Sequence, residues 1–525
     1  MKINLSYSLK NNLFNKFTES EKLLAYNMVI ANNKLINLRQ SIGRCIEYEK
    51  IRLQEINEKD PNLIFFHQYK LTEHVRQVLM MQPLTLSYMK QIHFNKKLVF
   101  RIPPKWWKFF EESGIPVNKP LNLLGWILYR IKRAVIEQTG FIKMLKNRLM
   151  PTLNEISENL VLTINSTELN FRMDSRQPML NFYTWIKQNT VELGIRDYRY
   201  LLENKNNDVN KDFSRSLSRK TMFSASVMQI LSNFFDLLKK SNFSLKFLLD
   251  VVIYPYSFLA YFSLSRDKMQ QIQYIFVPSS DSWVKPLWLY QAENFGSIVT
   301  YVNLSSDLVP TFNLESNYYS WYHLSAWNNL WSTCEGQNDS FREAKLSYVD
   351  TNFKIVGVPD WIDINEDIDN SKKIISVFDF EPHLFNFGQT SLNDYGYTNI
   401  KNTVKFLSDI AEVTSNLEIK CLHKPKRLIG HRRYAEYSDC IDILQSRYLG
   451  FKSINESVAP RKLINVSKLV ISMPFTSTAL IATQSGVKNC FYDPSGLINL
   501  NDFARQGVEI LNNKSDLLAW IRSNL

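Results

Sequence analysis

The sequence predicts an α/β protein in which a mainly helical N-terminal region precedes two Rossmann-like domains. From about residue 155 onward, short apolar runs rich in β-branched residues alternate with helix-like segments, a pattern that is typical of parallel βαβ units. A polar, acidic segment at residues 362–372 divides this series and indicates a linker. The 525 residues suffice for two large or three smaller domains, and a hydrophobic content of 45% suffices for their cores.

Residues 1–150 are predicted to be mainly helical, because apolar and basic positions recur at helical spacing in segments 105–114 and 121–149. Such basic amphipathic helices either lie on an anionic membrane or pack on their own domain. We therefore expect residues 1–150 to contact the membrane or the acceptor. The longest apolar stretch, 243–264, contains Lys, Asp and Pro. These residues favour a buried or membrane-surface segment over a membrane-spanning helix.

Residues 151–365 are predicted to form the first Rossmann-like domain, with a helical insertion and with a helix at 279–296 that ends at a glycine. Its predicted strands are 158–165, 273–278, 297–304, 322–328 and 353–359.

Residues 366–525 are predicted to form the second such domain. Its predicted strands are 374–380, 417–425, 468–473 and 487–493, and its predicted helices are 398–416, 432–447, 457–467, 477–486 and 515–524.

Two Rossmann-like domains that face each other across a cleft make the GT-B-like architecture of many glycosyltransferases. Ligands of such sheets bind at the carboxyl ends of the strands. Periplasmic-type binding proteins, epimerases and two-domain synthetases fit the same pattern, so the fold alone leaves the function open.

The composition favours an anionic partner. Lys and Arg exceed Asp and Glu by 13 charges, which suits nucleic acid, a phosphate-bearing ligand or an anionic membrane, although an AT-rich genome produces the same excess. Five scattered cysteines without a CxxC pair predict free thiols in a reducing cytosol. The N-terminal residues lack the apolar core of a signal peptide, so a cytoplasmic location is expected.

The stretch VISMPFTSTALIAT, residues 470–483, places several hydroxyls where a buried strand gives way to a helix. One hydroxyl, from Thr476 or Ser477, suffices to cap that helix. The further hydroxyls of Ser472 and Thr478 exceed this need. Because a helix N-terminus attracts anions, these four residues predict a phosphate site.

A basic cluster follows a second strand of the same predicted domain. The candidate phosphate ligands here are His423, Lys424, Lys426 and Arg427, with Pro425 halting the strand. Cationic side chains at the carboxyl end of a strand form a natural phosphate clamp, whereas a solvated charge run is the simpler interpretation. Nearby Asp379 and Glu381 resemble a metal-binding pair only weakly, and no metal is predicted.

Two loops of the first α/β domain carry the candidate catalytic acids, Glu168 and Asp281. An inverting sugar transferase needs one carboxylate as the general base for the acceptor hydroxyl, although either acid can instead cap a helix. Ser279, Ser280 and Lys285 are predicted to lie on the acceptor side. Walker-type loops, strand-linked GxGxxG, HExxH, GxSxG and Cys/His metal spacings are absent from the sequence.

Three segments together resemble a known family. MPFTSTAL (473–480), the Lys-Pro-Leu-Trp and Ala-Glu pattern within 279–307, and LHKPKR (422–427) are similar to the PFTS-motif proteins of bacterial surface-polysaccharide biosynthesis. The resemblance covers roughly residues 270–495 and implies transferase activity on O-antigen or capsule-type glycans. A looser similarity to GT-B sialyl- and Kdo-transferases implies that His423 and the hydroxyls hold a CMP-linked donor, although here a lysine separates His423 from Pro425.

The resemblance therefore implies a glycosyltransferase that moves a sugar, such as a nonulosonic acid or Kdo, from a nucleotide donor to a glycan or lipid-linked glycan. No other cofactor and no nucleic acid are implied, and the enzyme would touch the inner face of the plasma membrane peripherally. The alternatives are a GT-B-like epimerase, a glycerol-phosphate transferase that uses a UDP, GDP or CDP donor, and a non-enzymatic protein that binds glycan or nucleic acid.

Overall fold

The structure is a computed structural model. Apart from short pieces between them, the residues that it describes are 34–59, 64–78, 96–148, 160–163, 199–202, 227–240, 245–264, 266–279, 285–305, 326–344, 349–359, 374–380, 400–426, 435–496 and 498–525.

The N-terminal region is helical, as predicted. Its described helices are α1 (Lys34–Lys59), α2 (Ile64–Val78), α3 (Trp107–Glu112) and α4 (Lys119–Arg148). Three further helices, α5 (Val227–Lys240), α6 (Leu245–Ile253) and α7 (Pro255–Ser263), pack on them and share one apolar core. Within the described residues, no helix is both long and apolar enough to cross a membrane.

The apolar stretch 243–264 forms two helices rather than one. Pro255 occupies the first position of α7, where its missing N–H costs nothing, and the chain bends at Tyr254 between α6 and α7. Asp250 on α6 forms an ion pair with Lys70 at 2.6 Å, which explains how an acid is tolerated inside this apolar segment.

The first sheet has six parallel strands in the order β3-β1-β4-β5-β6-β7. The strands are β1 (Leu160–Thr163), β3 (Arg199–Leu202), β4 (Ile272–Ser279), β5 (Ile298–Asn303), β6 (Asn329–Ser332) and β7 (Asn352–Ile355), and a separate antiparallel pair joins β2 (Met179–Leu180) to β8 (Trp361–Ile362). Helices α8 (Arg266–Gln271), α9 (Leu287–Asn294) and α10 (Glu335–Ala344) connect these strands.

Two predicted elements of this sheet are corrected. Of the strand expected at 322–328, residues 322–325 lie outside the described residues, whereas 326–328 are not in a strand and β6 starts at Asn329. The helix expected from residue 279 begins at Leu287 with Pro286 at its N-cap, and it does end beside Gly296.

The second sheet is also fully parallel, with strands in the order β11-β10-β9-β12-β13-β14. The strands are β9 (Ile374–Phe378), β10 (Lys420–Lys424), β11 (Phe451–Ser453), β12 (Leu469–Ser472), β13 (Lys488–Tyr492) and β14 (Glu509–Leu511). The helices are α11 (Ile400–Asn416), α12 (Ala435–Arg447), α13 (Pro460–Asn465), α14 (Ser477–Gln484) and α15 (Lys514–Asn524). In chain order the sheet reads 3-2-1-4-5-6, which is the Rossmann order.

The predicted fold class is therefore confirmed: α/β, GT-B-like in having two Rossmann-like sheets, with a mainly helical N-terminal region. The sequence did not predict the edge strands β11 and β14, which have only three residues each, or β3 and the short β2–β8 pair of the first domain.

Side chains of the second sheet's domain hold the first domain at defined points. Gln506 accepts a hydrogen bond from the Gly336 N–H at 2.8 Å, at the start of α10. Gln484, the last residue of α14, donates to Thr333 C=O at 3.3 Å and accepts from Val358 N–H at 3.4 Å. Helix α14 is thus anchored to the first domain at its C-terminal end.

Candidate functional site

The candidate site lies at the carboxyl edge of the second sheet, between β9 and β12. The chain order reverses between these two neighbouring strands, so they flank the topological switch point of the sheet. The strand ends are tied together, because Met473 N–H donates to Phe378 C=O at 2.9 Å. In open α/β sheets, the crevice outside such a switch point is where ligands bind.

The turn from β12 to α14 is strained. Phe475 has a φ of +64°, a left-handed conformation that bulky residues rarely adopt and that costs about 1–3 kcal/mol. Its ring is buried and lies 5.5 Å from the Phe491 ring, centroid to centroid. Burial of this ring holds the turn in a conformation that a relaxed chain would leave. Strain of this kind concentrates at functional sites.

The hydroxyls of this turn bind one another rather than capping the helix. Thr476 occupies the N-cap position of α14, but its side chain makes no capping hydrogen bond. Its hydroxyl instead donates to Met473 C=O at 3.0 Å. The oxygens of Thr476 and Thr478 are 2.9 Å apart, and those of Thr478 and Ser472 are 3.0 Å apart.

Because each hydroxyl has one proton to donate, the donor and the acceptor of each of these hydrogen bonds can be assigned. Because Thr476 donates to the backbone, Thr478 donates to Thr476, and Ser472 donates to Thr478. The expectation that Thr476 caps the helix is wrong, because its side chain makes no capping hydrogen bond. Within the first turn, the Ala479 N–H donates to Thr476 C=O at 3.3 Å. A phosphate at this turn would meet the positive end of the α14 dipole.

His423 lies at the end of β10 but is completely enclosed. Its side chain has no exposed surface, Nε2 lies 3.1 Å from Asp379 Oδ2, and Nδ1 lies 3.1 Å from Ser453 Oγ. Asp379 Oδ2 also accepts a hydrogen bond from the buried Tyr437 hydroxyl. This arrangement differs from the expectation that His423 touches a phosphate. The imidazole instead belongs to a buried cluster directly under the switch point.

The other residues of the predicted basic cluster lie in different surroundings. Lys424 is buried, and its ammonium donates to Pro425 C=O at 3.4 Å, so it faces the interior. Lys426 is exposed beside the Phe380 ring, 5.3 Å from its centroid. Arg427 lies outside the described residues. Of the cluster, Lys426 is the described cation that a ligand at the switch point can reach.

In the first domain, the predicted acids Glu168 and Asp281, and also Ser280, lie outside the described residues. Ser279 ends β4 at the carboxyl edge of the first sheet. Among the described residues, no group of three or more His, Cys, Asp or Glu side chains is placed to hold a metal ion.

Lys285 is a structural residue rather than a surface one. Its ammonium is buried, contacts Glu293 Oε2, and donates to Ala326 C=O at 3.3 Å. It also lies 4.4 Å from the centroid of the Tyr290 ring. Burial lowers the pKa of Lys285 and raises the pKa of Glu293, and each partner's charge opposes the other's shift. The expected acceptor-side lysine is thus committed to an internal ion pair.

A comparison with models of protein families shows which family the chain belongs to. A model described as "Polysaccharide biosynthesis PFTS motif protein" matches residues 253–521, just over half of the chain. The chain belongs to this family. The PFTS motif itself is the strained turn Pro474–Ser477, and the Lys285–Glu293 pair also lies within the matched segment. The resemblance noted from the sequence is confirmed, and helices α1 to α4 precede the matched region.

Solved structures resemble this PFTS protein only loosely. They include the Methanocaldococcus jannaschii UDP-GlcNAc 2-epimerase in complex with UDP-GlcNAc and UDP, with 10% identity, coverage of 70% of this chain and 93% of the epimerase, and a TM-score of 0.34. Acinetobacter baumannii MurG has 10% identity over 70% of this chain and 90% of its own, with a TM-score of 0.31. E. coli heptosyltransferase WaaC with ADP has 9% identity, with coverage of 70% of this chain and 100% of the heptosyltransferase, and a TM-score of 0.29.

These TM-scores are all below 0.5, so the likenesses carry no argument about activity. A search of curated proteins by sequence finds no match.

Proposed function

We propose that this protein is a glycosyltransferase of polysaccharide biosynthesis that binds a nucleotide-sugar donor at the PFTS turn. One observation carries the proposal. The family's motif forms a strained strand-to-helix turn at the switch point of a Rossmann-order sheet, and no Thr476 side-chain cap covers the N-terminus of α14. Such a turn presents the positive end of a helix dipole to an anion.

The turn supplies what departure of a nucleotide requires. As the bond from sugar to phosphate breaks, negative charge grows on the phosphate oxygens, and donors that are already oriented stabilise it without reorganising. The start of α14, held by the hydroxyl chain of Ser472, Thr476 and Thr478, would meet this need through its dipole, and the exposed Lys426 would add a cation nearby. The buried, left-handed Phe475 supports the same role, because it fixes the shape of the turn before the nucleotide sugar binds.

The residues in the finer steps of the proposal come from loops that follow predicted strands, and the donor and acceptor come from the family resemblance. Glu168 or Asp281 would remove the proton from the acceptor hydroxyl, which would then attack the sugar carbon in an inverting displacement. Ser279 and Ser280 would lie on the acceptor side. The donor would be CMP-linked and would carry a nonulosonic acid or Kdo. The acceptor would be a glycan or lipid-linked glycan at the inner face of the plasma membrane, met from the cytoplasm.

A thermal-shift assay of the full chain with CMP, UDP, GDP and dTDP tests the donor site. We expect one nucleotide to stabilise the protein by about 2.7 kcal/mol at a hundred times its dissociation constant, and CMP is the expected one. Stabilisation by none of the four would overturn the proposal. A second assay distinguishes a transferase from an epimerase by the release of free nucleotide from the matching nucleotide sugar. A glycan acceptor should accelerate this release by a transferase, whereas an epimerase needs no acceptor.

A further inference from the structure

The helical N-terminal region contains a cavity that the proposed transfer reaction does not use. It has a volume of about 370 Å³ and lies between α1, α2, α4 and the segment that precedes α3. Apolar atoms of Leu53, Ile56, Leu71 and Trp126 form part of its wall. This volume falls in the range of ordinary ligand pockets.

The charge around this cavity is unbalanced. Four cationic side chains line it, namely Arg52, Lys70, Lys105 and Arg130. The only carboxylate in the described lining is Glu49, whose oxygens contact Lys105 and accept hydrogen bonds from Trp106 Nε1 at 2.7 Å and Arg52 at 3.1 Å. Asp250 neutralises Lys70. Four cations against two carboxylates leave an excess of two positive charges in a partly enclosed space.

Arg130 is the cation without an acid. Within the described residues, its guanidinium has no carboxylate partner and instead lies 5.9 Å from the ring centroids of Trp126 and Tyr254 and 3.4 Å from His74 Nε2. Burial holds the pKa of His74 well below its usual value, and Arg130, Lys70, Lys105 and Arg133 lower it further. Burial and the cations around the cavity thus shift the pKa of His74 in the same direction.

An exposed apolar surface begins at the rim of the cavity. Ile127 and Leu123 precede Arg130 by three and seven residues and therefore lie on the same side of α4. The exposed apolar side chains of this helix are Leu121, Leu123, Leu124, Ile127, Leu128, Ile131, Val135, Ile136 and Ile142. Leu249 and Val252 of the neighbouring α6 extend the surface. Contiguous apolar patches of this kind mark interaction sites.

We propose that the cavity binds the phosphate headgroup of an anionic lipid, and that the exposed side of α4 lies against the apolar chains of the membrane. The basic cavity and the apolar surface adjoin each other as the two parts of such a lipid do. An amphipathic helix with cationic side chains near its apolar face is also the usual form of a membrane-surface anchor. The proposal stands on the charges and exposure of this region and does not depend on the donor site.

Flotation of the full chain with vesicles tests the lipid site. We expect binding to phosphatidylcholine vesicles that contain phosphatidic acid and much weaker binding to phosphatidylcholine alone. Arg130→Gln should weaken binding about fivefold, the usual contribution of one cation near an anionic surface. Arg44→Gln is the matched control, because Arg44 lies on α1 outside the cavity, with its side chain 48% exposed near Glu112. An equal loss in both variants, or equal binding to both vesicles, would overturn the proposal.

A second arm separates a lipid from free phosphate. Water-soluble dihexanoyl phosphatidic acid should stabilise the wild-type chain against heat more than inorganic phosphate does at the same concentration. Ile131→Ser/Val135→Ser changes only exposed side chains, so it should fold normally and lose vesicle binding while Arg130 is intact. If this variant binds vesicles as wild type does, and inorganic phosphate stabilises as well as the lipid, the site is a free-phosphate site and the lipid proposal is wrong.

Discussion

Replacing Lys285 with methionine is expected to lower the free energy of unfolding of the first α/β domain by about 3–5 kcal/mol, a fall in melting temperature on the order of 10 °C. The ammonium is buried against Glu293, whose Oε1 has no hydrogen-bond partner among the described residues. Removing the lysine would leave an uncompensated carboxylate in the interior. Thermal unfolding followed by circular dichroism measures the effect.

The double variant Lys285→Met/Glu293→Leu is the control. It should recover most of the stability, because apolar residues of similar volume often replace a buried ion pair without loss. In the single variant, burial keeps the Glu293 pKa above its value in the unfolded chain. The carboxyl then favours the folded state only while it is protonated, so the stability deficit should be smaller at pH 5 than at pH 8. A single variant with wild-type stability and no transferase activity would instead place Lys285 at the ligand.

The variant Ser477→Glu is expected to abolish nucleotide binding while leaving stability unchanged or slightly raised. A carboxylate in the first turn of α14 interacts favourably with the helix dipole, by about 0.3–1 kcal/mol. The same carboxylate would occupy the place of the donor phosphate and repel it. Opposite signs for stability and affinity distinguish this result from general damage to the fold. Isothermal titration with the stabilising nucleotide and a melting curve give the two quantities.

The matched control is Ser515→Glu, which places the same acid in the first turn of α15 in the same domain. Ser515 is exposed, and helix α15 is capped by the Asn513 side chain, which accepts from Asp516 N–H at 2.8 Å. This variant should bind nucleotide as wild type does. Equal nucleotide affinity in the Ser477→Glu and Ser515→Glu variants would show that the phosphate does not bind at the PFTS turn.

Much of the fold was predictable because buried parallel strands leave long apolar runs. Strands such as β9 and β12 are completely buried, and their sequences are almost wholly apolar. The missed strands include β11 and β14, with three residues each, and β3, with four, and such short segments carry no periodic signal. Trp327, which was predicted to lie in a strand, instead precedes β6, and its ring stacks on Tyr301 in the core with the centroids 5.1 Å apart.

The polar residues of the candidate site were visible in the sequence, but their hydrogen-bond partners were not. The surplus of hydroxyls pointed to the β12–α14 turn, yet their bonds to one another and the left-handed Phe475 beside them are features that a sequence pattern does not show. His423 and Lys285 were predicted at ligand surfaces because polar residues follow the strands there. Their partners Asp379 and Glu293 lie 44 and 8 positions away in the chain. The sequence does not show which polar residues will pair in the folded interior.

The central claim is that the PFTS turn holds the phosphate of a nucleotide-sugar donor. A structure of the full chain with the stabilising nucleotide tests this most directly. The account predicts a phosphate oxygen about 3 Å from backbone nitrogens in the first turn of α14, with the hydroxyl chain from Ser472 to Thr476 intact. A nucleotide bound with its phosphate away from the switch point between β9 and β12 would contradict it.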